Sequence, residues 1–304
     1  MDIGVSNMVT KRLVITGANG FVGSNFLRLL PVELKKNCIC LLHKGSKKDS
    51  IKEYCSRSVF CDLRDSNSFA DLLHDNDIII HLANLISSKN RREVFDVNTK
   101  SMKNIILASK RKNNISVIYI SSINSRFEKG EYSISKKVSE RLLEESGLMY
   151  SIVRPTLIYD DHGGHMIKKL VKTVDTKPIL PVIGNGKYLL QPMHIDDLCR
   201  FINGLTTDKQ ECRIYEVGGY DKIAFNELLN SIEKLLQVKR VRIHIPYMFV
   251  QPFAALFRGL LGLDLETICR DKIAQPNEGR RFVKRLRGIK DDLLKIVTNY
   301  QEGS

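Results

Sequence analysis

The chain has 304 residues, 43% of them hydrophobic, and a formal net charge of +14. That length fits one large α/β domain or two unequal ones, and the apolar fraction is enough to bury a core, which excludes a disordered chain. No run reaches the roughly 18 uninterrupted apolar residues of a membrane span, and 7% aromatics without Trp argues against a stacking platform for single-stranded nucleic acid.

A basic balance attracts anions, so nucleotides, nucleotide-sugars, nucleic acid and acidic membrane surfaces are all admitted. Lys and Arg are spread over most of the chain, however, and no nucleic-acid partner is expected. The densest basic stretch, GRRFVKRLRGIKDDLLK (279–295), carries apolar residues at Phe282, Val283, Leu286, Ile289 and Leu293. This spacing predicts a solvated amphipathic helix.

In chain order, the first ten residues are a nondescript lead. RLVITG (12–17) reads as a strand and FVGSNFLRLLPVEL (21–34) as a helix. CICLLH (38–43) and SVFCDL (58–63) are the second and third strands, SFADLLHD (68–75) a helix, and DIIIHLA (77–83) the fourth strand. A long helix follows over 95–113, then the strand SVIYISS (116–122), a helix over 130–146, and the strand YSIVRPTLIY (150–159). Short apolar strands alternating with helices predict parallel βαβ units in a doubly wound α/β fold. After residue 160 the rhythm breaks. A helix enters over 193–205, RIYEVGG (213–219) is one more strand, 224–236 is a helix, and the rest is mostly helical. The expected division is a nucleotide-binding domain of residues 9–160 plus 191–220 and a smaller substrate region of 161–190 plus 221–304.

VITGANGFVG puts Gly17, Gly20 and Gly23 after a strand and at the opening of a helix. Such glycines let the backbone turn tightly and approach a pyrophosphate, and the helix N-terminus supplies free N–H groups and a favourable dipole. The second strand ends in LLHKGSKK, with His43, Lys44, Lys47 and Lys48 and no carboxylate until Asp49. A carboxylate there would hold a ribose 2′-hydroxyl, whereas Lys44 would attract a 2′-phosphate. NADP is therefore expected over NAD. Asp62, after the third strand, is a candidate partner for the adenine amino group.

Tyr132 and Lys136 lie four apart on one helix and share a face. A phenol near pKa ~10 is too weak a base at neutral pH, and a nearby ammonium is expected to lower that value. Tyr132 then passes a proton to or from a substrate oxygen, and Lys136 also bonds the nicotinamide ribose. Ser121 or Ser122, at the end of the fifth strand, would fix the substrate oxygen, with Ser122 favoured.

The stretches TGANGFVG, DL (62–63), HLAN (81–84), VN (97–98), YISS (119–122), YSISK (132–136), RPTLIY (154–159) and QPMHIDDL (191–198) together resemble the short-chain dehydrogenase/reductase superfamily. The likeness is to its extended branch of nucleotide-sugar epimerases, dehydratases and reductases. It implies a Rossmann domain, a C-terminal substrate domain and a catalytic group of Ser122, Tyr132 and Lys136. It also implies cofactor contacts from Asn19, Phe21 and Val22 in the glycine turn, and from Leu63, Leu82, Ala83, Asn84, Asn98 and Pro155. The implied activity is 4-keto reduction or C4 epimerisation of a nucleotide-sugar in surface-polysaccharide synthesis, by a cytoplasmic homodimer. Two positions depart from the pattern. Tyr159-Asp160 stands where Tyr-Gly is common, and Leu190 stands where several members have an Arg that contacts the nucleotide. Leu190 and the apolar stretch 245–265 admit a lipid-linked sugar and peripheral membrane contact. QPMHIDD resembles a divergent branch that includes an accessory subunit of respiratory complex I, so the alternative is a non-catalytic NAD(P)H-binding scaffold.

The seven Cys, at 38, 40, 55, 61, 199, 212 and 269, form no CxxC pair with a matching partner. No zinc site is expected, and the odd count with no signal peptide fits a reducing cytoplasm. The loop YDDHGGH (159–165) holds Asp160, Asp161, His162 and His165 near the expected substrate cleft. They are expected as substrate-contacting or exposed loop residues and no metal is assigned to them.

Overall fold

The structure is a computed structural model that describes residues 11–43, 51, 53–55, 57–86, 88, 90–208, 211–250, 267 and 269–303. The first strands and helices run β1 (Leu13–Thr16), α1 (Phe21–Leu29), α2 (Val32–Lys36), β2 (Cys38–Leu42), β3 (Arg57–Phe60), β4 (Ile78–His81), α3 (Arg91–Ser109), β5 (Ser116–Ile120), α4 (Glu131–Glu144) and β6 (Met149–Pro155). Next come β7 (Ile158–Tyr159), α5 (Gly164–Thr176), β8 (Ile179–Ile183), β9 (Leu189–Leu190), β10 (Met193–His194), α6 (Ile195–Thr207) and β11 (Arg213–Val217). The last are β12 (Ile223–Ala224), α7 (Phe225–Leu236), β13 (Val241–Ile245), α8 (Tyr247–Val250) and α9 (Ile289–Glu302).

Seven strands form one sheet in the order β11-β6-β5-β4-β1-β2-β3, and every pairing is parallel. Successive strand residues point to opposite faces. Leu13 and Ile15 of β1 therefore join Phe26 and Leu27 of α1 and Phe201 and Ile202 of α6. Val14 faces the other way, with Ile105 of α3 and Leu143 of α4. Both faces are covered, which is why the central strands are apolar throughout rather than alternating. The doubly wound α/β expectation holds.

Several expected elements differ. The helix over 21–34 is two helices, because Pro31 has no N–H to continue the ladder and stands as N-cap of α2. The helix over 68–75 is two 3₁₀ turns, Ser66–Ser68 and Ala70–Leu72, which bury Phe69, Ala70 and Leu73 without completing an α-helix. The strand over 150–159 breaks after Pro155: Thr156 N–H turns to the Val217 carbonyl at 2.9 Å, and β7 leaves the sheet to pair with β10. The basic stretch 279–295 is a 3₁₀ turn, an irregular run, and α9 starting only at Ile289 after Gly288. Val283 and Leu286 still bury beside α6, so the apolar stripe is real while the helix is not.

A third apolar cluster lies beyond the sheet. Tyr159, Ile167 and Val171 meet Leu180 and Val182 of β8, Leu228 and Ile232 of α7, and Leu293 and Ile296 of α9. β13, in a stretch expected to be helical, pairs parallel with β8. Among the described residues no helix is long and apolar enough to cross a membrane. Most of the stretch 245–265 lies outside the described residues.

Candidate active site

The carboxyl ends of β1, β4, β5 and β6 open on a cleft of about 400 Å³. Its floor is the turn between β1 and α1. Gly17 adopts φ +67°, and a Cβ there would sit 2.6 Å from the Ala83 amide nitrogen, so only glycine fits between β1 and β4. A Cβ on Gly23 would lie 2.2 Å from the Gly17 carbonyl oxygen, so this residue lets α1 pack against its own turn. Gly20 is different. It lines the cleft, caps α1 without a side chain, and a Cβ would approach only the Gly17 oxygen, at 3.2 Å. The first turn of α1 carries no acidic residue. An open helix N-terminus above a glycine floor suits an anionic pyrophosphate.

The opposite wall is built from β5, the 3₁₀ turn at Ile123–Phe127, and α4. Ser122 caps that turn by accepting the Asn124 N–H at 3.2 Å, and it lines the cleft together with Tyr132. Lys136 is buried, donates to the Ile120 carbonyl at 2.6 Å, and lies 5.7 Å from the centre of the Tyr132 ring. Ser122, Tyr132 and Lys136 thus line one cleft with Gly17 and Gly20. The electrostatics differ from expectation. Burial pushes the Tyr132 phenol up to about 12, with the neighbouring Ser122 hydroxyl opposing, and burial drives Lys136 well below the usual lysine value, with Glu140 opposing. The phenol is raised and not lowered, because desolvation is the largest effect on it.

Ser121 also borders the cleft, but its hydroxyl donates to Glu140 Oε1 at 2.6 Å. Glu140 is fully buried and also accepts from Ser125 at 2.8 Å and from both Nε (2.9 Å) and Nη2 (2.6 Å) of Arg154. Arg154 reaches Glu216 on β11 at 3.4 Å, and Glu216 meets Arg126 at 3.2 Å. This charge chain behind the cleft escaped the sequence reading, although Glu140 lies four residues beyond Lys136 on the same helix.

Of the remaining expected cofactor residues, Phe21, Val22, Leu82, Asn84 and Pro155 line the cleft. Asn98 does not; it is buried behind the wall, its Oδ1 accepting Leu85 N–H at 2.8 Å and its Nδ2 donating to the Leu85 carbonyl and Ser135 Oγ, each at 3.0 Å. It ties the 82–86 loop to α4. Asn19, Leu63 and Ala83 are half-buried outside the lining, and His43 is exposed at the end of β2. The Asp62 carboxylate is held by Arg64 Nε and Nη2 at 3.0 and 2.7 Å, and that bond keeps it at about 2. Lys44, Lys47, Lys48 and Asp49 lie outside the described residues.

Within the 159–165 loop, only His165 borders the cleft. Asp160 caps the turn into α5 by accepting the His162 and Gly164 N–H groups. Asp161 binds Arg287 at 2.7 Å and Lys295 at 2.8 Å, so it anchors the C-terminal segment. Thr156, Met166 and Lys272 also line the cleft and were not singled out from sequence. Lys272 arrives through a bridge to Leu190, a pairing over 82 positions that no local pattern reveals.

The chain is 27% identical over 173 residues to the mitochondrial NADH dehydrogenase [ubiquinone] 1 alpha subcomplex subunit 9 of Dictyostelium discoideum, a match covering 56% of this chain and 48% of that protein. It is 24% identical over 280 residues to the UDP-N-acetyl-alpha-D-glucosaminuronate decarboxylase of Bacillus cytotoxicus, covering 80% of this chain and 85% of that one. The chain therefore spans about half the length of the first relative and most of the second. Its fold is that of the dTDP-glucose 4,6-dehydratase of Bacillus anthracis solved in complex with NAD, with TM-score 0.72 at 14% identity, covering 96% of this chain and 97% of that one. A family model described as NAD dependent epimerase/dehydratase family matches residues 13–218, the span that builds the sheet and both walls of the cleft, and the chain belongs to that family.

Proposed function

We propose that this protein is an NAD(P)-dependent oxidoreductase or epimerase that acts at C4 of a nucleotide-sugar or lipid-linked sugar, with Ser122, Tyr132 and Lys136 as its catalytic residues. The observation that carries the reading is the convergence of these three side chains on a cleft whose floor is the Gly17–Gly23 turn. The glycine floor and the uncapped α1 would hold the cofactor pyrophosphate, with Leu82, Asn84 and Pro155 along its length. When bound, the nicotinamide gives or takes a hydride. Tyr132 Oη donates the matching proton to the substrate oxygen, or takes it back in the reverse direction. Ser122 hydrogen-bonds that oxygen and the phenol together. Lys136, held by the Ile120 carbonyl, keeps a cation beside the phenol when protonated and favours the phenolate during transfer. The sequence after β2, His43 and Lys44 with no carboxylate until Asp49, supports NADP over NAD. Residues 161–190 and 221–304 are proposed as the substrate region, and His165, Met166 and Lys272 as its face towards the cleft.

Incubation with NADPH and a 4-keto nucleotide-sugar tests the reading. Net NADPH oxidation identifies a reductase; inversion at C4 of a saturated nucleotide-sugar without net oxidation identifies an epimerase. Neither outcome, across nucleotide- and lipid-linked sugars, contradicts it. The similarity to an NADH dehydrogenase subunit favours one second reading, a cofactor-binding subunit without turnover. In that case NADPH binds but wild type and Tyr132→Phe are equally inert.

A further inference from the structure

Cys38 and Cys40 alternate on β2, so both side chains point to the same face of the sheet. Cys55 comes from the segment that leads into β3 and packs against that face from outside. The three sulfurs all lie within 4.8 Å of one another, with Cys38 Sγ 3.7 Å from Cys55 Sγ. The cluster lies at the amino ends of the strands, and the catalytic cleft opens at their carboxyl ends.

Three sulfurs around one zinc at about 2.3 Å would be roughly 3.8 Å apart in a tetrahedral site and about 4.0 Å apart in a trigonal one. The Cys38–Cys55 spacing of 3.7 Å matches the tetrahedral value, and the other two spacings, within 4.8 Å, need to close by no more than about 1 Å. Cys38 and Cys40 are buried, while Cys55 is half-exposed and gives an entry path. The sulfur of Cys55 also lies 2.9 Å from the Arg57 carbonyl, and that of Cys38 lies 3.2 Å from the Lys35 carbonyl. The C-x-C spacing on a strand, completed by a residue fifteen positions later, is not a CxxC pattern. All ligands are soft thiolates, which select zinc or cuprous copper over calcium, magnesium or manganese.

We propose that Cys38, Cys40 and Cys55 form a three-thiolate site for a soft d¹⁰ cation, with zinc as the probe and water as fourth ligand through the open side at Cys55. On binding, three S–H protons pass to solvent as three Zn–S bonds form, and no sulfur changes oxidation state. The metal would staple β2 to the segment entering β3.

The full-length protein, reduced and metal-free, is titrated with zinc against a chromogenic chelator. One zinc per chain is expected, with affinity falling as pH drops because protons compete for the thiolates. Cobalt in its place should give thiolate-to-metal charge-transfer absorption. Cys55→Ser, at the half-exposed position, should weaken zinc by more than the roughly 10–100-fold that outer-shell changes cost. Cys212→Ser, at an exposed and separate position, should leave it unchanged. Circular dichroism establishes that both variants fold. The proposal is overturned if the reduced wild type takes up no zinc, or if Cys55→Ser binds it as wild type does. It is likewise overturned if the sole chemistry is loss of two titratable thiols in air, which would make Cys38 and Cys55 a redox pair.

Discussion

Ser121 Oγ donates to Glu140 Oε1 at 2.6 Å, and this bond separates the roles of two adjacent serines. Ser121 is committed to a buried carboxylate, while Ser122 accepts the Asn124 N–H and lines the cleft with Tyr132. Glu140 in turn is held by Arg154 in a buried pair. Removing one partner leaves an uncompensated charge, so Glu140→Ala should lose about 3–5 kcal/mol of stability in urea denaturation. Glu140→Leu combined with Arg154→Met should recover most of it. A loss no larger than that of a surface substitution would show that the chain of charges is not holding the wall.

The glycines of the turn separate stability from binding. Gly17→Ala puts a Cβ into the Ala83 backbone at φ +67° and should lose at least about 2 kcal/mol, from left-handed strain plus the clash. Gly20→Ala meets only the Gly17 oxygen, so thermal unfolding should stay near wild type. NADPH affinity, measured by fluorescence titration, should fall for Gly20→Ala, because the methyl occupies the side of the cleft where the backbone must come close. Equal affinity in wild type and Gly20→Ala would remove the pyrophosphate from that turn.

His81 gives a pH dependence. Burial, assisted by the charge of Lys136, lowers it from 6.5 to about 3, and it bonds Thr16 at 2.8 Å and stacks on Tyr119. The unfolded chain binds the proton first, so its contribution to stability is present above about pH 6.5 and is lost as pH falls towards 3. The slope in that window is at most about 1.4 kcal/mol per pH unit. His81→Gln should flatten the curve of stability against pH measured in urea; an unchanged slope would assign acid sensitivity to other groups.

The order of strands and the glycine turn were readable because they depend on local pattern: alternation, helical spacing and residues that suit a tight turn. Tyr132, Lys136 and Ser122 were readable because a strand end and the first turns of the next helix face one crevice. What was not readable depends on distant contacts. Asn98 looks like a site residue on its helix, but its bonds to Leu85 and Ser135 make it a tie. Asp161 looks like a loop acid until Arg287 and Lys295 arrive from 126 and 134 positions away. The Tyr132 phenol was expected to fall and is instead raised, because burial depends on the whole wall and not on the residue four positions away.

Tyr132 is the proposed proton-transferring group. The most direct measurement compares wild type and Tyr132→Phe for both NADPH binding and turnover of the substrate that wild type accepts. Binding should stay within about twofold, and kcat should fall by roughly 10²–10⁴. Equal turnover by the two proteins would contradict that role.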